Sequence, residues 1–161
     1  MKPATGDMTV HTASADPQIV QMATGHLVSQ ALFVIAELGI ADHLKAGPRT
    51  AAALAEKTGT DASSLHRLLR TLTGLGLFTQ GPDGAFATTP LGDSLRSDSP
   101  GCARAMVRMI AGPTMSRACG ELLHAVKTGT SAFDKAIGQP VFGYLAQHAD
   151  EAATALRGPW S

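Results

Sequence analysis

TAAALAEKTGTDASSLHRLLRTLTGLGLFTQGPDGAFATTP, residues 50–90, is the stretch on which the fold turns. Thr50 precedes AAALAEKT and supplies a hydroxyl for the first turn of a helix, and Gly59 supplies a left-handed stop. Thr60 or Asp61 caps a second helix, whose Leu65, Leu68, Leu69, Leu72 and Leu75 recur at helical spacing and form one apolar stripe. Two helices joined by so short a turn form a helix-turn-helix. Leu77–Gln80 and Ala85–Thr88 then flank Gly81-Pro82-Asp83-Gly84, which predicts two short strands around a tight turn. Thr89-Pro90 opens a further short helix, with a capping hydroxyl followed by a proline preset for the first helical position. Helix-turn-helix plus hairpin predicts a winged helix.

Outward from this core the pattern is helical. Residues 1–16 are rich in Thr, Ser, Asp, Gly and Pro with little periodicity, and read as a mobile arm. A single domain is expected over 17–161. From Pro17 to Leu38, apolar residues occupy the helical face and spread around the cylinder through Phe33 and Ala36, so this helix needs partners on two sides. The central helix of a monomer and a helix covered by a second chain both satisfy that need; the extent of the apolar surface favours a homodimer. Past Pro100 the periodicity resumes through Met106, Val107, Ile110, Met115, Leu122 and Val126, and Gly129 interrupts it. Ala132–Leu145 then reads as a short helix, the turn Gly138-Gln139-Pro140, and an aromatic-bearing helix.

Composition excludes several classes. Thirteen basic residues balance thirteen acidic ones, so no global field steers the chain to nucleic acid or to an anionic membrane. The outward face of Asp61–Gly74 carries only Arg67 and Arg70 as cations, too few for a recognition helix, and a DNA-binding regulator is the third choice of function. Cys102 and Cys119 lack a CxxC spacing, and the N-terminus shows no apolar signal core, which together predict a cytoplasmic setting. The longest strongly apolar run, Ala31–Ala36, falls short of the roughly 20 residues of a membrane span. Histidines stand at 11, 26, 43, 66, 124 and 148 with no i,i+4 pair, so no metal is expected.

QALFVIAELGIADHL, TAAALAEKTGTDASSLHRLLRTLTGLGLF, FATTPLGDSLRSD and ELLHAVKTGTSAFDKAIGQPVFGYLAQH, in this order, resemble the N-terminal part of bacterial and plant-type O-methyltransferases, especially those acting on polyketide and other aromatic natural products. The resemblance covers roughly residues 18–150. It implies a mainly α dimerisation fold: a winged helix-turn-helix with a small β-hairpin wing and additional dimerisation helices that intertwine two protomers and wall part of the acceptor pocket. In that family the methyl donor binds in a C-terminal Rossmann-like domain, which also holds the catalytic histidine. No stretch here matches it, since Gly74-Leu75-Gly76 follows a helix, precedes a strand and has Thr79 in place of the third glycine. No cofactor is therefore expected. Ala118-Cys119 stands where relatives often carry Ala-Trp, and His66 where many carry Tyr.

The first functional expectation is a methyltransferase-like dimerisation module that binds a small aromatic or polyketide-like molecule. The second is a natural-product tailoring enzyme of cyclase, dehydratase or hydrolase type that reuses the acceptor pocket. For the latter, His26 and His124 are the candidate acid-base groups, because an imidazole titrates near neutrality. Met22, Met106, Met109 and Met115 supply adaptable thioether surface for a flat ligand. Phe133, Phe142 and Tyr144 lie in the segment that, by resemblance, borders the acceptor. Trp160 and Tyr144 add polar handles to aromatic area.

Overall fold

In the computed structural model, residues 16–101, 103–149 and 151 are described, and they form ten helices and two strands. The predicted arm over 1–16 lies outside them except for Asp16, as do Cys102 and Trp160. Asp16 caps α1 (Pro17–Leu38), its carboxylate accepting from the Gln18 N–H at 2.8 Å. Gly39, at φ +63°, ends α1 and turns directly into the short α2 (Ile40–His43).

The fold-deciding stretch follows its capping signals. Thr50 Oγ1 accepts from the Ala53 N–H to start α3 (Ala51–Thr58), and Asp61, rather than Thr60, accepts from the Ser64 N–H to start α4 (Ala62–Gly74). Leu65, Leu69 and Leu72 are buried from the α4 stripe; Leu68 is half-buried, and Leu75 is exposed because it lies past the helix end. Strands β1 (Phe78–Gln80) and β2 (Phe86–Thr88) pair antiparallel with Thr79 opposite Ala87. Between them the Gly81 N–H donates to the Ala85 carbonyl at 2.8 Å, and Gly84 adopts φ +78°. An αL glycine before the second strand is how a longer hairpin loop rejoins its register. Arg49 adds an isolated bridge to Phe86, giving the pair a third short neighbour.

Thr89 opens α5 (Pro90–Asp93) by accepting from the Gly92 N–H. Gly92 is buried, and a Cβ there would stand 2.1 Å from the Leu77 carbonyl oxygen. Gly92→Ala is accordingly expected to cost about 1–3 kcal/mol, the range for forcing atoms into a packed interior. A urea midpoint unchanged from wild type would contradict it.

The core gathers Ile35, Ile40, Leu44, Leu54, Leu65, Leu69, Leu72, Phe78, Phe86 and Leu95 from α1–α5 and the hairpin. Beyond it run α6 (Ala103–Ala111), α7 (Pro113–Gly120), α8 (Leu122–Thr128), α9 (Ala132–Ile137) and α10 (Val141–Gln147). Helix α6 packs along α1, and Arg104 fastens the two. Its Nε donates to the Ala36 carbonyl at 2.8 Å, its Nη1 pairs with Asp42, and Asp42 also accepts from the Ser97 N–H and hydroxyl. On the same flank, hydrogen bonds from Arg96 and then Lys45 hold the Asp98 carboxyl well below the usual carboxylate range. Helices α8, α9 and α10 bury no residue in this single chain.

Candidate ligand cleft and the exposed apolar faces

Phe33 and Glu37 lie one turn apart on α1, and Ala105, Arg108 and Met109 occupy the facing side of α6. The Gly112-Pro113 corner then swings α7 away. A Cβ at Gly112 would stand 2.3 Å from the Arg108 carbonyl oxygen, so only glycine permits this approach. Together with Thr114 and Glu151 these residues line a cleft of about 300 Å³. The cleft has an apolar wall, Phe33, Met109 and Pro113, and a polar rim.

The rim is ordered by specific bonds. Arg108 Nε donates to Glu37 Oε2 at 2.7 Å, and Nη2 lies 3.4 Å from Oε1. Tyr144 donates its phenolic hydrogen to Glu151 Oε1 at 3.0 Å, and its oxygen lies 3.1 Å from Thr114 Oγ1. The Tyr144 ring is held edge-on by Phe133, centroids 5.6 Å apart, and is stacked by His148 at 3.8 Å. Further toward the N-terminus of α1, exposed Gln30 donates from Nε2 to the Ala111 carbonyl at the end of α6 and to Ser116 Oγ of α7.

Of the residues singled out in the sequence, Met109 lines this cleft, and Tyr144 with Phe133 stands directly behind its polar rim. Met106 and Met115 are half-buried on α6 and α7 without lining it. Met22 is 71% exposed on α1 and Phe142 is 82% exposed on α10, both away from the cleft. Neither candidate histidine lines it. His26 is exposed with Nδ1 2.9 Å from the Ala23 carbonyl, and half-buried His124 has Nε2 3.0 Å from Thr130 Oγ1. Ala118 is buried and Cys119 is an exposed free thiol; neither borders the cleft. Phe33, Glu37, Arg108, Thr114 and Glu151 escaped sequence reasoning. The sequence signal available for them is the Gly112-Pro113 break, which places a corner beside Phe33 of α1.

Among the described residues no group of three or more His, Cys, Asp or Glu is placed to hold a metal ion. Arg67, Arg70 and Thr71 flank a shallow hollow on α4. Two apolar faces are open to solvent. The first is the N-terminal part of α1, with Ile19, Val20, Met22, Leu27 and Val28; the second combines Leu122, Leu123 and Val126 of α8 with Phe142 of α10. Helix α1 is also long and apolar enough to cross a membrane by length and composition alone. The run Ala31–Ala36 understates this, because isolated Thr, Ser, Gln and His residues break the string without removing the average apolarity.

A family model described as the O-methyltransferase dimerisation domain matches residues 20–98. The chain is 45% identical over 130 residues to a phenazine O-methyltransferase of Lysobacter antibioticus, covering 81% of this chain and 38% of the relative. It is 42% identical over 127 residues to the O-methyltransferase SfmM3 of Streptomyces lavendulae, covering 79% of this chain and again 38% of the relative. Among solved structures, LaPhzM superposes with a TM-score of 0.80 at 42% identity, over 85% of this chain and 41% of that one. The chain thus spans about two-fifths of the length of the proteins it matches, and through residues 20–98 it belongs to the O-methyltransferase dimerisation-domain family.

Proposed function

We propose that this chain is the homodimerising part of a small-molecule methyltransferase system, in which a second copy covers the open face of α1 and the α1/α6/α7 cleft holds a planar aromatic molecule. The carrying observation is that α1 belongs to a matched dimerisation domain yet buries only Ile35 and Ala36 within its own chain. A helix with Met22 71% exposed and Leu27 57% exposed requires a cover. Gln18, Gln21 and Ser29 interrupt that face, and polar side chains are costly in hydrocarbon, so a protein partner suits it better than lipid.

In the same reading α3, α4 and the β1–β2 hairpin form a winged helix that serves as scaffold, with Arg67 and Arg70 too sparse on α4 for a DNA interface. The chain works in the cytoplasm, where an exposed thiol such as Cys119 stays reduced. Relatives named for 3-amino-4-hydroxybenzoate and for a dihydroxy-methyl-naphthoate suggest the size of ligand, and Phe33 and Met109 offer the matching wall. In this reading the methyl donor and the transfer chemistry belong to other residues than those of the cleft; an acid-base role for His26 or His124, neither of which lines it, belongs to the alternative of a tailoring enzyme.

Hydrogen exchange tests this reading. Amides of residues 17–30 are expected to exchange more slowly as protomer concentration is raised through the dimer dissociation constant, while those of buried α4 change little. Concentration-independent exchange across α1, in a sample that is nevertheless dimeric, would place the interface elsewhere.

A further inference from the structure

We infer that Gln30 couples the self-association face of α1 to the α1/α6/α7 cleft, so that covering α1 with a second copy locks the joint between α6 and α7 and fixes the shape of the cleft. The inference rests on the reading of α1 as covered by a second copy. Gln30 follows Leu27 by three residues and precedes Val34 by four, which puts all three on one side of the helix. Leu27 and Val34 are exposed, at 57% and 38%, and Gln30 is exposed between them. A partner seated on Leu27 and Val34 therefore shields Gln30 as well.

The far end of the Gln30 side chain spans that joint. Its Nε2 donates at 2.9 Å to the carbonyl of Ala111, the last residue of α6, and at 2.8 Å to Ser116 Oγ in the first turn of α7. Ser116 Oγ passes its own hydrogen to the same Ala111 carbonyl at 3.2 Å, and the Ser116 N–H donates to the Gly112 carbonyl at 3.0 Å. Gly112 is the one residue between the two helices, and it lines the cleft together with Pro113 and Thr114. The angle between α6 and α7 thus sets how far Thr114 stands from Phe33 and Met109, and Gln30 ties three helices at that angle.

Water decides how firmly the tie holds. An exposed amide trades its protein partners for water at little cost, and fixing a glutamine in one rotamer loses side-chain entropy. Under a covering partner the exchange with water is closed, and a broken bond leaves a buried donor unpaired. The seam and the cleft are then linked through one side chain. Linkage is reciprocal, so a molecule that fills the cleft and steadies the joint also strengthens self-association.

The test follows hydrogen exchange in the 161-residue chain and in Gln30→Met, which keeps the length and helix propensity of the side chain but has no donor. In the wild type the amides of residues 116–118 are expected to slow about tenfold as concentration carries the chain from protomer to dimer. In Gln30→Met, brought to the same dimer fraction as judged by light scattering, that gain is expected to shrink to about threefold or less, with α4 amides unchanged from wild type. Ser116→Ala, which removes one anchor of the joint without touching α1, should show a smaller loss in the same direction. A gain at 116–118 that both variants retain overturns the coupling and leaves the dimer reading standing. So does exchange at 116–118 in the wild type that ignores concentration while residues 17–30 respond to it. No response at 17–30 in a sample that is nevertheless dimeric removes the covered-α1 reading together with the inference built on it.

Discussion

Phe86→Ala is expected to destabilise the domain by about 3–5 kcal/mol, the usual cost of truncating a fully enclosed aromatic ring. Phe86 is entirely buried, and it does more than fill volume. Its N–H donates to the Arg49 carbonyl at 2.8 Å and its own carbonyl accepts from Arg49 at 3.0 Å, so the residue joins the hairpin to the chain entering α3. The ring also meets His66 of α4 edge-on, centroids 5.6 Å apart. A domain of this size has a total stability of about 5–15 kcal/mol, so the variant should be unfolded or nearly so at moderate urea. Denaturation followed by circular dichroism at one fixed protomer concentration measures it, since association adds to apparent stability. A loss below about 1 kcal/mol would mean that the hairpin is peripheral to the core, contrary to the packing described.

Val20→Asp combined with Leu27→Asp is expected to weaken self-association by at least about 100-fold, or about 3 kcal/mol, without unfolding the protomer. Both side chains are exposed in the single chain, Leu27 at 57%, so neither aspartate disturbs the core. In a dimer the same positions lie against apolar surface, where an unpaired carboxylate loses its hydration without compensation. Gel filtration with light scattering should show the double variant at protomer mass with an unchanged helical spectrum. A dimer that persists would exclude this face of α1 from the interface.

Which features the sequence reveals depends on how far apart in the chain their partners lie. Thr50, Asp61 and Thr89 cap helices through bonds to residues three positions on, and Gly59 and Gly129 stop helices by their own backbone conformation; such signals are local and were legible. Even the environment of His26 is local, its ring nitrogen reaching the carbonyl three residues back. The cleft is not local. Gln30 reaches Ala111, Arg104 reaches Ala36 and Arg108 reaches Glu37, pairings that arise only once α6 lies along α1. Met22 and Met109 were singled out as adaptable thioethers and Phe142 by resemblance, yet of the three Met109 lines the α1/α6/α7 cleft while Met22 and Phe142 are exposed away from it. An apolar residue on a helix announces that it will be covered but carries no mark of whether its own chain or another does so.

The claim on which the rest depends is that α1 is covered by a second copy, and sedimentation equilibrium of the wild-type chain at micromolar concentration addresses it most directly. The account predicts a species of twice the 16.6 kDa protomer mass, persisting at high salt because an apolar seam is insensitive to screening. A protomer mass across the same concentrations, with α1 still helical, would contradict it.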